Sequence, residues 1–299
     1  MLSIPEIATQ LIDKTLTNVN EFNSRTIFLV GSKSVGKTTL LYSFLEKNDQ
    51  PRETLVVEYS FGRKSNQKQG IDKILCHIWE YGGKLETLNN VLQSIPICGK
   101  FFFCIMIDLS KIKNIWETLE TCTQVMNDVY STINNSPELI IICGKYDLFK
   151  NYDSEIKKFI CTTLRSFALL NHAHLIFYSS KEAQLLRRAK DMLFNIGFGN
   201  CIPMKEKNTN YTKPLFIPKD SDNWESIGIP TSTIDQVKVR HMSRIPPNAV
   251  SSNSPTVMSS QMHGYPEATL DSVVAFKYNE LRNMESLDIP IDYLLSLST

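Results

Sequence analysis

Apolar positions along this chain gather into short continuous runs, separated by stretches with the rhythm of a helix. Arg25–Gly31 carries the run Thr26-Ile27-Phe28-Leu29-Val30 and has the length of a strand; Thr38 to about Lys47 follows as an amphipathic helix. Asn48-Asp49-Gln50-Pro51 breaks the chain. Leu55–Ser60 and Ile71–Trp79 read as two strands, with the polar, basic stretch Gly62–Gly70 as a hairpin loop between them, and Leu85–Leu92 as a short helix. Phe101–Asp108 is almost wholly apolar, the pattern of a parallel strand covered on both faces. Trp116–Ile133 is helical, with Leu119, Val125, Met126, Val129 and Ile133 on one face. Leu139–Gly144 is a further buried strand, Ser154–Leu170 a helix, Leu175–Tyr178 the last strand and Lys181–Phe194 the last helix. Ahead of all these, Pro5 with Ile7, Leu11, Ile12 and Leu16 predicts a helix over 5–20.

Two early strands joined by a loop, followed by strands alternating with helices, specify an α/β domain over 1–198. The expected sheet is six-stranded and mostly parallel, with helices on both faces and loops carrying chemistry at the strand carboxyl ends. The pattern then changes. Residues 199–240 hold prolines at 203, 214, 218 and 230 and read as an extended segment associated with the domain, Asn208–Ile217 being its Pro-bounded part. Residues 241–265, rich in Ser, Pro, Met and Asn, lack the apolar density to fold and are expected to form a disordered linker. Residues 266–299 are expected to hold an amphipathic helix over 267–287 and a tail.

Composition narrows the class. A hydrophobic content of 42% supports a large core, and a net charge of +1 gives no bulk electrostatic case for nucleic acid or an acidic membrane. The seven cysteines form no Cys-x-x-Cys pair, and most lie in or beside apolar runs, which favours reduced, buried thiols over disulfides or zinc. The N-terminus has no basic region followed by an apolar core, so no secretory signal is expected, and the longest apolar run, Phe101–Ile107, is too short for membrane insertion.

The chemistry concentrates where the first strand meets the first helix. Gly31-Ser32-Lys33-Ser34-Val35-Gly36-Lys37-Thr38 matches the Walker A pattern in its required strand–turn–helix setting. Gly31 and Gly36 permit a tight turn, the backbone N–H groups from Ser34 to Thr39 form an anion cradle, Lys37 meets the outer phosphates, and the Thr38 hydroxyl would ligate Mg²⁺. Lys145 and Asp147, in Gly144-Lys145-Tyr146-Asp147, stand where guanine-binding proteins carry Asn-Lys-x-Asp. Asp147 could accept hydrogen bonds from guanine and the Lys145 stem could cover the base, although Gly144 removes the asparagine side chain. Ser179-Ser180-Lys181 follows the last strand, where Ser180 and Lys181 would back the base; Ser180 also suits a helix N-cap.

Other residues depart from a working GTPase. Glu80-Tyr81-Gly82-Gly83 replaces Asp-x-x-Gly, so Glu80 reaches the metal shell only with a shift. Lys84 occupies the position of the glutamine that aligns the attacking water, which makes hydrolysis doubtful. Thr54 reads more readily as a strand-initiating threonine than as a magnesium ligand, Trp79 as core, the basic run Arg63, Lys64 and Lys68 as a solvated hairpin tip, and His172 and His174 as a turn and strand edge without a carboxylate partner. A P-loop kinase would want a lid of arginines, but Arg187 and Arg188, the only close pair, fall in mid-helix.

Gly31–Thr39, Glu58-Tyr59-Ser60-Phe61-Gly62-Arg63, Ile78-Trp79-Glu80-Tyr81-Gly82-Gly83, Ser94-Ile95-Pro96-Ile97, Leu109-Ser110-Lys111, Lys145-Tyr146-Asp147 and Lys213-Pro214-Leu215-Phe216-Ile217 together resemble the light intermediate chains of cytoplasmic dynein 2. The resemblance covers about residues 1–230; the segment between the fourth and fifth strands is shorter than in the family, and nothing past about 235 carries a family motif. It implies a Ras-like P-loop domain acting as a non-catalytic subunit. Its expected partners are the dynein 2 heavy-chain tail, the other dynein 2 subunits and the machinery of retrograde intraflagellar transport. Its expected locations are the cytoplasm, cilium, basal body and cytoskeleton. GTP or GDP with Mg²⁺ would be structural. The reading that competes with it is a small GTPase-type switch with weak hydrolysis.

Overall fold

The structure, a computed structural model, describes residues 24–65, 73–130, 137–199 and 207–246, together with 272, 273 and 276. The chain divides into two units, Met1–Asn248 and Ala249–Thr299. In the second, the three described residues are helical, and Val273 and Phe276 are exposed. The helix expected over 5–20 lies outside the described residues, as do most of the linker and the C-terminal helix.

The first unit is built on one sheet. Its elements are β1 (Ser24–Gly31), α1 (Lys37–Phe44), β2 (Val57–Ser65), β3 (Lys73–Tyr81), α2 (Leu88–Ser94), β4 (Lys100–Asp108), α3 (Ile115–Tyr130), β5 (Glu138–Gly144), α4 (Tyr146–Phe149), α5 (Ser154–Leu170), β6 (His174–Phe177), α6 (Ala183–Phe198), β7 (Phe216–Ile217), α7 (Trp224–Ile227) and α8 (Ile234–Arg244). The strand order is β2-β3-β1-β4-β5-β6-β7. β3, β1, β4, β5 and β6 run parallel, while β2 and β7 add antiparallel edges. The sheet thus has seven strands where six were expected. The two-residue β7 escapes any periodicity test and exists only because Leu175 and Ile176 pair with Ile217 and Phe216.

Alternation along each central strand sends side chains to two cores. Phe28 and Val30, with Phe103, Ile105 and Ile107, pack under α2, α3 and α5. Ile27 and Leu29, with Phe102, Cys104 and Met106, pack under α1 and α6. Every side chain from Phe101 to Ile107 is at most 3% exposed, and burial of this kind contributes roughly 1.5–3 kcal/mol per large apolar residue.

The basic hairpin tip is not where the polar composition put it. β2 runs through Arg63 and Lys64, which pair with Leu75 and Ile74, and the Lys64 ammonium stands 4.5 Å over the Phe194 ring. Trp79 is partly buried against the first core and packs on Tyr59 at 4.7 Å between ring centroids.

Residues 207–246 are more than an extended segment, and the boundary expected after 240 falls inside α8. A bridge joins Asn208 to Phe216, β7 follows, and Asn223 caps α7. Thr233 and Gln236 close a capping box at the start of α8. The strap is fastened to α5 by Arg165. Its Nε and Nη2 donate to Asp222 Oδ2 and Oδ1 at 2.7 and 2.8 Å, and Nη2 also donates to Ser226 Oγ at 2.8 Å. Further along, His241 of α8 inserts between the rings of Trp116 and Phe159.

Candidate functional site

Residues 31–38 form a compact bend at the carboxyl end of β1. Gly31 has φ +137°, and a Cβ there would stand 1.9 Å from the Met106 carbonyl oxygen of β4. The same carbonyl accepts the Ser32 N–H at 2.8 Å, which fixes the bend to the central strand. Ser34 and Gly36 are both left-handed, at φ 58° and 102°. Gly36 is the N-cap of α1 and offers no side-chain acceptor, so the first-turn N–H groups of α1 are available to an anion.

Lys37 is 7% exposed, and its ammonium donates to Ser32 O at 3.1 Å and Gly31 O at 3.4 Å. Burial lowers its pKa, against the pull of Glu80. The Thr38 hydroxyl donates to Glu80 Oε1 at 2.7 Å. The longer carboxylate of Glu80 therefore stands against the hydroxyl that follows Lys37. Glu80 is itself buried, which raises its pKa, while Thr38 and Lys37 draw it back.

A cleft of about 250 Å³ opens here, lined by residues 33–39 including Ser34 and Thr39, by residues 51–54, and by Glu80 and Gly82. Lys33 and Glu53 form an exposed ion pair at 3.2 Å beside it. Thr54 corrects the sequence reading. It precedes β2 by three residues, is 4% exposed, and lines the cleft with Oγ1 lacking a hydrogen-bond partner. Gly82 N–H donates to Val56 O at 2.8 Å, which draws this segment against the end of β3. Lys84 is not among the cleft-lining residues; its carbonyl accepts the hydroxyls of Tyr81 and Thr87.

The second loop cluster follows β5 and β6. Lys145 is left-handed at φ 60°, and its ammonium lies 2.9 Å from Asp108 Oδ2. Asp147 Oδ1 accepts from Ser179 Oγ at 2.7 Å, and Oδ2 meets Lys181 Nζ at 3.1 Å. Burial works against the Asp147 charge, but the Ser179 hydroxyl and Lys181 outweigh it and lower the pKa. Ser180, singled out in the sequence, is exposed, whereas Ser179 is buried and holds Asp147. Two adjacent hydroxyls were visible in Ser179-Ser180-Lys181; which one faces Asp147 is set by the register of β6.

His172 and His174 each have the carboxylate partner that sequence did not reveal: Asp220 at 2.6 Å and Glu138 at 2.9 Å. Among the described residues no cluster of His, Cys, Asp and Glu could hold a metal ion, and no helix is long and apolar enough to cross a membrane.

An anion cradle, a buried lysine, a hydroxyl–carboxylate pair and an unpartnered buried threonine hydroxyl fit a phosphate group with a divalent cation. The Asp147 carboxylate, two loops away, fits a base with paired donors.

Comparison with known proteins is consistent with this arrangement. The family model described as Ras of Complex, Roc, domain of DAPkinase matches residues 26–147. The chain is 32% identical over 255 residues to cytoplasmic dynein 2 light intermediate chain 1 of Danio rerio, covering 73% of this chain and 70% of that protein. It is 31% identical over 268 residues to the protein of the same name from Homo sapiens, covering 75% of each. Among solved structures, the conserved domain of a dynein light intermediate chain superimposes with a TM-score of 0.50 at 13% identity, over 76% of this chain and 93% of that one, a likeness of fold.

Proposed function

This chain belongs to the cytoplasmic dynein 2 light intermediate chain family, and on that premise we propose that it acts as a non-catalytic subunit that binds and stabilises the dynein 2 heavy-chain tail. Its work would then lie in retrograde intraflagellar transport and cilium assembly, in the cytoplasm, at the basal body and in the cilium. The observation that carries the non-catalytic reading is at Lys84. A lysine occupies the water-aligning position, its backbone is held by Tyr81 and Thr87, and it does not line the cleft. An ammonium has three donors and no acceptor, so it can neither take a proton from water nor align its lone pair.

The cradle nonetheless keeps its residues, and we infer that it holds GTP or GDP as a structural ligand. Ser34, Gly36, Lys37 and Thr39 would meet the phosphates, Thr38 with Glu80 behind it would hold Mg²⁺, and Asp147, Lys145, Ser180 and Lys181 would meet the base. A ligand that binds only the folded state stabilises it without turnover. Thr54 favours a second reading, a slow switch, because it is buried and lines the cleft beside the Glu80 carboxylate.

Two measurements separate these readings. Purified full-length chain should co-purify with a dynein 2 heavy-chain tail and show no single-turnover GTP hydrolysis. Failure of folded protein to bind the tail at low salt would refute the subunit assignment, and hydrolysis at the rate of a switch GTPase would replace it with the second reading. Nucleotide should also raise the melting temperature of the wild type more than that of Lys37→Ala; equal shifts would mean that the cradle binds nothing.

A further inference from the structure

We propose that β2 pairs with β2 of a second copy of this chain, antiparallel about a two-fold axis through Phe61. The inference goes beyond the subunit reading and does not depend on nucleotide. Among the described residues β2 is the open edge of the sheet. It is nine residues long, keeps unbroken register with β3 from Val57 to Ser65, and contains no proline or bulge, so Glu58, Arg63 and Lys64 are its only edge protection, and charges of both signs can be paired by a complementary strand. Its outer face is apolar: Tyr59 is 47% and Phe61 61% exposed, and Leu55 and Val56 just before it are exposed as well. Tyr59 is held in place, stacked on Phe61, packed at a tilt on Trp79 and hydrogen-bonded to His77 Nδ1 at 2.9 Å.

The register follows from backbone alternation. Gly82 N–H donates to Val56 O, so the even-numbered residues of this strand turn their peptide groups toward β3. Val57, Tyr59, Phe61 and Arg63 then aim theirs at the open edge, so odd residues must pair with odd ones, and a two-fold axis falls either on an odd, hydrogen-bonded pair or on an even, non-hydrogen-bonded one. An axis at Ser60 sets Glu58 against Gly62, and one at Gly62 sets Lys64 against Ser60 and leaves Glu58 facing beyond the end of the strand. An axis at Phe61 places Glu58 opposite Lys64, Tyr59 opposite Arg63, Ser60 opposite Gly62 and Phe61 opposite itself. Each dimer would then gain two opposite-charge pairs, two ring–guanidinium contacts and one aromatic pair. An axis at Arg63 sets two guanidinium groups against each other, and one at Tyr59 leaves Glu58 facing Ser60 and Lys64 outside the paired region. Only the Phe61 register is complementary in charge, and the occupant that supplies this complement is the strand itself.

The test is sedimentation of the full-length chain alone across a range of concentrations. The expected result is a reversible shift from the 34.1 kDa monomer to twice that mass. Glu58→Lys should abolish the shift, and Glu58→Lys with Lys64→Glu should restore it. Under mild oxidation Phe61→Cys should cross-link two copies, because facing Cα atoms in such a pair stand about 5.5 Å apart. Lys64→Cys should not, since its own counterpart lies six residues off register. A chain that stays monomeric at every concentration overturns the proposal, as does equal cross-linking by both cysteine variants. A monomer whose β2 instead binds the heavy-chain tail would assign the edge to that partner and equally overturn self-pairing.

Discussion

A side chain at Gly144 would collide with Val35: a Cβ there would stand 2.6 Å from Val35 Cγ2 and 3.2 Å from the Val35 carbonyl oxygen. The phosphate bend and the base loop are therefore joined by direct packing of Val35 on the backbone of Gly144. The glycine that looked like a lost recognition residue is what lets Val35 seat.

Gly144→Asn, which would restore the usual motif, is accordingly expected to harm the protein. Forcing atoms into a packed contact costs typically 1–3 kcal/mol, and the strain would fall on the phosphate bend. Chemical denaturation should show a loss of that order together with weaker nucleotide binding. Unchanged stability with tighter binding would show that the Val35 contact is not what excludes the asparagine.

Restoring the missing glutamine should also fail. Because the position 84 backbone is fixed by Tyr81 and Thr87 and lies outside the cleft lining, Lys84→Gln should leave single-turnover GTP hydrolysis as it is in the wild type. A rise of tenfold or more, about 1.4 kcal/mol of barrier, would show that the side chain does reach the cleft.

Arg165 and Asp222 should be worth more than any surface ion pair here. Their side chains are 8% and 4% exposed and meet through two parallel hydrogen bonds. Removing one partner strands a buried charge, so Arg165→Ala is expected to cost about 3–5 kcal/mol. Arg165→Met combined with Asp222→Leu should cost less than the sum of the single changes, and amide exchange should rise first in 207–246. Additive losses in denaturation would mean that the two groups do not act together.

His241 gives the pH dependence its sign. Its ring lies 5.7 Å from that of Trp116 and 5.9 Å from that of Phe159, neither nitrogen has a hydrogen-bond partner, and burial lowers its pKa from 6.5 to about 4. Below pH 6.5 the unfolded chain takes up a proton that the folded chain refuses. Stability is therefore fully present above pH 6.5 and falls as pH drops toward 4, by about 3 kcal/mol from this residue. His241→Phe should flatten that part of the profile in denaturation at stepped pH. Parallel profiles for variant and wild type would exclude the ring as the cause.

The sequence revealed the local parts of this molecule and missed the distant ones. β1, the phosphate bend and β4 were plain, because a continuous apolar run and a spaced glycine pattern are properties of neighbouring residues. Thr54 was read as a strand residue, since what makes it notable is burial beside Glu80, a relation across the fold. Ser180 was preferred to Ser179 because the two differ only in the side of the chain each faces. Arg165 and Asp222 drew no reading from the sequence, because 57 positions apart neither announces the other. Residues 207–246 were underestimated for the same reason. They are poor in periodicity because much of their order comes from contacts with α5, α3 and β6.

That strap sets the minimal length of a self-sufficient piece of this chain. A truncation after Phe198, where a nucleotide-binding domain of this type would be expected to finish, would remove Asp222 from Arg165, Ile217 from the edge of β6, and His241 from between Trp116 and Phe159. The remnant would keep an intact cradle yet expose an orphaned guanidinium and bare aromatic rings. The boundary for autonomous folding therefore lies beyond Arg244, well past the last described residue of the cleft and the base loop.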